Sequence, residues 1–125
     1  MKPLHLKIGE QGEYFAVKHY VKRGFKILKR NYQKKWGEID IIAKKNNILY
    51  FIEVKSVSHE TDFDNFLPEE NVRQFKKERL KRTINTYLIE KKVSCETDFQ
   101  IDVAAVYLNN QTGKSKIRVL EDVIL

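Results

Sequence analysis

Two carboxylates and an ammonium stand where apolar side chains are expected. Asp40 interrupts Gly37-Glu38-Ile39-Asp40-Ile41-Ile42-Ala43, and Glu53 and Lys55 follow the apolar run Ile48-Leu49-Tyr50-Phe51-Ile52. Side chains alternate along a strand, so Glu53 and Lys55, two apart, leave one face of the sheet together. A hairpin turned at Lys44-Lys45-Asn46-Asn47 brings Asp40 beside Glu53. Two carboxylates in contact repel unless a proton or a cation lies between them, and hard oxygen ligands in small number suit Mg²⁺ when a phosphate completes the shell. Lysine only donates and cannot ligate, but it orients water or neutralises charge developing on a phosphoryl oxygen. The chemistry this set predicts is metal-assisted phosphodiester hydrolysis.

The elements that must position these groups follow from periodicity. Apolar residues at Ala16, Val17, Tyr20 and Val21 predict a helix over 9–23, with Gly24 as its terminating residue. Glu13 lies on the row of Val17 and Val21, facing the interior; a carboxylate favoured by the helix dipole and a site residue are both consistent with that place. A strand is expected over 25–32, ended by Gln33-Lys34-Lys35 and paired with the Asp40 strand. Glu38 should share a face with Asp40, one step further from Glu53, which fits an exposed strand-end charge better than a ligand.

The stretch 56–67 has no usable period and predicts an exposed loop. Its Asp62 and Asp64 lack the rest of a calcium-loop pattern, and His5, His19 and His59 lack zinc-ligand spacing. Pro68 opens a second predicted helix, with Glu69 and Glu70 in its first turn and Lys91-Lys92 at its end. Lys76 interrupts the row Val72, Leu80, Ile84, Leu88, where periodicity alone favours a lysine covering apolar surface. Two further strands are expected over 99–107 and 117–120, with a turn at 109–113. Asp102 within the first of these predicts a structural pair with an arginine or lysine. Helix, three strands, helix and two strands make one α/β domain over 1–125, a mixed central sheet flanked by helices.

Asp40 followed thirteen residues later by Glu53-Val54-Lys55 resembles the D…ExK signature of the restriction-endonuclease-like nuclease superfamily, with a spacing similar to that of archaeal Holliday junction resolvases. The chain resembles more closely the bacterial YraN family of nuclease-like proteins, through Gly12-Glu13, Arg30-Asn31-Tyr32, Gly37-Glu38-Ile39-Asp40, Phe51-Ile52-Glu53-Val54-Lys55 and Lys76. The resemblance spans roughly residues 9–107 and implies a restriction-endonuclease-like core and a Mg²⁺-dependent DNA endonuclease, with Mn²⁺ as a substitute. On that resemblance Asp40, Glu53 and the Val54 carbonyl hold the metal, Lys55 positions the attacking water, and Glu13 completes the acidic set. It also makes Lys76 a phosphate contact or second site lysine, and gives Glu38 a supporting role. The rival is a non-catalytic nucleic-acid-binding or partner-binding module that keeps the fold.

Composition agrees with a nucleic-acid partner. In 125 residues, 24 lysines and arginines against 17 acids leave a net charge of +7, which favours a polyanion. Lys29, Arg30, Lys34 and Lys35 lie just before the Asp40 strand and are the expected phosphate contacts, together with Lys76. A homodimer is left open as a further partner. The first seven residues have no signal-peptide core, no segment reaches the apolar length of a membrane span, and the single Cys95 has no disulfide partner, so a reducing cytoplasm is the expected setting.

Overall fold

A computed structural model describes residues 8–57, 74–109 and 111–123. The order is α1 (Ile8–Lys22), β1 (Lys26–Lys34), β2 (Gly37–Lys45), β3 (Ile48–Val57), α2 (Gln74–Glu90), β4 (Asp98–Leu108) and β5 (Ser115–Leu120). Among the described residues the strands form one mixed sheet in sequence order, in which β3 and β4 are the parallel pair. The expected α/β class, strand number and pairing of β1 with β2 hold. The predicted start of the second helix at Pro68, with Glu69, Glu70 and Val72, lies outside the described residues, as do His5, His59, Asp62 and Asp64.

Local chemistry explains the punctuation. Helix α1 ends because Gly24 adopts φ +87°, with the Gly24 N–H bonded to the Val21 carbonyl and the Phe25 N–H to the Tyr20 carbonyl at 3.0 and 3.1 Å. The rings of Tyr20 and Phe25 then meet edge to face at 4.8 Å, adding the apolar contact that accompanies this terminus. Between β2 and β3 the turn is tighter than expected. Lys44 and Lys45 stay in the strand, and Asn46 and Asn47 alone reverse the chain at φ 52° and 65°, the left-handed pair a two-residue hairpin requires and asparagine tolerates. Strand β1 likewise runs on through Gln33 and Lys34, paired with Glu38 and Gly37, instead of stopping at the polar residues.

Among the described residues each face of the sheet carries one helix. Helix α1 buries Ala16 and Tyr20 against Ile41, Ala43, Ile52, Ala104 and Val106. Val21, expected on this stripe, is exposed instead. Helix α2 packs Leu80, Ile84 and Tyr87 against Tyr32, Ile39, Ile42, Leu49 and Phe51. Burying such side chains contributes roughly 1.5–3 kcal/mol each, so both helices are fixed mainly by the sheet. Two glycines permit the closest approaches. A Cβ on Gly12 would collide with the Ser56 hydroxyl, and one on Gly37 would come 2.6 Å from Thr83 Oγ1 and 3.3 Å from the Arg79 carbonyl oxygen. Both contacts clamp a helix beside the strand ends that carry the acids. Among the described residues no helix is long and apolar enough to cross a membrane.

Candidate active site

The regular alternation of β2 breaks at Asp40. Ile39 packs in the α2-side core and Ile41, two residues on, in the α1-side core, which unbroken pleating forbids. The neighbouring strand breaks at the same level: Arg30 reaches Glu13 on α1, whereas Tyr32 is buried under α2. Between them Asn31 takes φ 51°. Main-chain pairing of β2 with β3 runs only as far as Ile41 and Ile52. Beyond it the Val54 N–H donates to Asp40 Oδ2 at 2.8 Å. The carboxylate thus takes the place of a ladder carbonyl and is aimed at the point where the strands part.

Three carboxylates approach that point from three directions. Asp40 is buried in the sheet, and its carboxyl is pushed up to about 7; burial is the main cause, the Glu53 charge adds to it, and the Val54 N–H offsets part of the rise. Glu53 extends the row of Leu49 and Phe51 on the α2 face, where Lys76 Nζ meets its Oε1 at 2.8 Å. Glu13 comes from α1, with Arg30 4.0 Å away and a hydrogen bond from Asn31. Its carboxyl is nevertheless raised, because burial outweighs the arginine and Glu38 adds repulsion. Among the described residues no three His, Cys, Asp or Glu side chains gather tightly enough to form a metal-ligand set. Asp40 and Glu53 are the interacting pair, and Glu13 acts on Asp40 from further off.

A cleft of about 240 Å³ opens on the α2 side, lined by Gly37, Glu38, Glu53, Lys76, Arg79 and Leu80. Lys55, two residues beyond Glu53, stays half-buried, and among the described residues it forms no ion pair. Arg79 also lines the cleft and is not among the expected site residues. Its signal was present: it follows Lys76 by three positions, one helical turn along the same face. Asn31, part of the family-like series but given no role there, is the other residue missed, and the strand break that explains it leaves no mark in the sequence.

The basic residues expected to follow phosphates divide. Lys29 and Lys35 are exposed. Arg30 turns toward Glu13. Lys34 is 2.6 Å from Glu90, which also accepts from the Tyr32 hydroxyl at 2.6 Å, so it ties β1 to the end of α2. Glu38 accepts from the Gln33 amide at 3.1 Å. Among the described residues Asp102 forms no ion pair with the cationic partner expected of it. It accepts from the Tyr20 hydroxyl (3.1 Å), the Gln100 amide (2.9 Å) and the Asp122 N–H (3.1 Å), neutral donors that satisfy a carboxylate buried under α1 without a second buried charge.

The architecture and site define a mixed α/β protein with an acidic pair at the parting of two strands. Residues 12–106 match the uncharacterised protein family UPF0102, and the chain belongs to that family. It is 38% identical over 119 residues to a UPF0102 protein of Campylobacter hominis, covering 95% of each chain. A UPF0102 protein of Campylobacter fetus is 41% identical over 101 residues, 81% of this chain and 84% of that one. One from Dictyoglomus turgidum is 37% identical over 103 residues, 82% and 84% of the two chains.

Proposed function

We propose that this protein is a metal-dependent DNA endonuclease with a restriction-endonuclease-like core, hydrolysing phosphodiester bonds in branched or damaged DNA in the manner of a Holliday junction resolvase. The observation that carries the reading is the Asp40 carboxyl set at the parting of β2 and β3 by the Val54 N–H, its pKa raised by burial first and by the Glu53 charge second. That excess negative charge is what a divalent cation relieves, and the all-oxygen donor set fits Mg²⁺ or Mn²⁺. Asp40, Glu53 and the Val54 carbonyl would hold the ion, which supplies Lewis-acid polarisation of the scissile phosphate and acidifies water.

The chain's own groups do the rest. Lys55, on the face of Glu53, orients the attacking water and stabilises charge on the phosphoryl oxygens. Lys76 neutralises Glu53 in the absence of a cation and, once released, contacts the phosphate from across the cleft. Glu13 adds negative potential at Asp40. Lys29, Arg30, Lys34 and Lys35, on β1 and the turn after it, would follow the phosphates; Lys29 and Lys35 are open to solvent, while Arg30 and Lys34 must exchange a protein carboxylate for a phosphate.

The second reading, a nucleic-acid-binding or partner-binding module without turnover, draws on the Lys76–Glu53 ion pair, which satisfies Glu53 with no metal. Incubation with branched, single-stranded, nicked and flapped DNA, with Mg²⁺, Mn²⁺ or EDTA, separates the two. The endonuclease cuts at least one structure only when the cation is present; a module binds equally well with and without it and cuts none.

A further inference from the structure

A second concavity, of about 390 Å³, lies at the far end of α1 where it crosses the start of β5, lined by Phe15, Lys18, His19, Lys22, Arg23, Ser115 and Ile117. None of the described side chains around it is acidic. Lys18 and Lys22 stand four apart on one helical row, a like-charge placement that costs helix stability by itself. Neither forms an ion pair among the described residues. Lys18 rests over the Tyr14 ring at 5.4 Å, and Arg23 is turned back to the His19 carbonyl at 3.2 Å. The helix dipole accounts for cations at Lys22 in the last turn and Arg23 just past it, but Lys18 lies a turn earlier than Lys22, beyond the reach of that effect. Burial and the neighbouring Arg23 lower the pKa of His19, so near neutrality the imidazole adds a polar ring and not a fourth repelling charge.

We infer that this groove binds a nucleic-acid backbone, with Lys18 and Lys22 each meeting a phosphate, as a second contact surface apart from the acidic site. Charge supports that occupant: Lys18, Lys22 and Arg23 line the groove with no acidic side chain among its lining residues, on a chain of net charge +7. Nine residues of helix turn Glu13 and Lys22 to opposite sides of α1, so the groove is a surface separate from the acidic cluster. The inference rests on nucleic acid being the partner, but it does not depend on cleavage.

The test is fluorescence anisotropy of a labelled DNA duplex titrated with the full chain in EDTA, over a salt series, for the parent and Lys18→Gln/Lys22→Gln. Both positions are exposed, so the variant is expected to fold. Losing two phosphate contacts should flatten the slope of log affinity against log salt by about 1.5 to 2. Charge reversal, Lys18→Glu/Lys22→Glu, should weaken low-salt binding further still. Equal slopes in parent and variant would overturn the inference, as would absence of DNA binding by the parent. Vesicles containing anionic lipid form the control arm. Lysine-dependent binding to them with no change in DNA slope assigns the groove to a membrane surface and overturns the proposal as well. Because EDTA suppresses metal-dependent cutting, a flattened slope stands even where the DNA panel shows no cleavage, and the two claims fail separately.

Discussion

In EDTA, the parent protein should be more stable at pH 5 than at pH 8, and Asp40→Asn should remove most of that difference. The Asp40 carboxyl is raised to about 7 in the folded protein, against about 4 in an unfolded chain. A folded state that holds the proton more tightly is favoured at low pH. The Asp40 contribution to stability is therefore fully present below about pH 4, falls as pH rises from about 4 to about 7, and is gone above. The upper bound on the loss, at about 1.4 kcal/mol per unit, is on the order of 4 kcal/mol. Asparagine keeps the shape and can still accept from the Val54 N–H, but it carries no charge to bury beside Glu53. Thermal unfolding at several pH values checks this: the variant should melt higher than the parent at pH 8 and near it at pH 5. Coincident pH profiles would show that Asp40 carries no unrelieved charge.

Lys55→Met should leave metal affinity nearly intact and collapse cleavage. Methionine keeps an unbranched stem of similar length, so the half-buried position stays filled while the ammonium is lost. A preorganised electrostatic contact to the transition state is worth on the order of a hundredfold in rate or more. Single-turnover conditions with protein in excess isolate that step from any modest change in DNA affinity. A variant that cuts as fast as the parent would remove Lys55 from the mechanism.

Local pattern revealed the parts of the fold that local chemistry decides. Gly24 ends α1 where the apolar period stops, and the five-residue apolar run of β3 marks the centre of the sheet with Glu53 and Lys55 at its exit. The acidic pair was legible because charges inside apolar strands are costly and stand out. What stayed hidden depends on breaks or on distance. Period-two reading assumes uninterrupted pleating, so it could not show that Ile39 and Ile41 enter opposite cores or that Asp40 turns sideways to Val54. The partner of Lys34 lies 56 residues away on α2, and that of Tyr20, Asp102, lies 82 away; neither leaves a trace in neighbouring sequence. The family-like set gains physical reasons from the fold. Gly12 and Gly37 are helix contact points, and Arg30 and Asn31 hold Glu13.

The central claim is that Asp40 and Glu53 together hold a divalent cation, and calorimetric titration of Mn²⁺ into the parent, Asp40→Asn and Glu53→Gln tests it most directly. The account predicts saturable binding to the parent, released protons near neutral pH as the Asp40 carboxyl ionises, and loss of binding in both variants. Equal Mn²⁺ affinity in the parent and in either variant would contradict it.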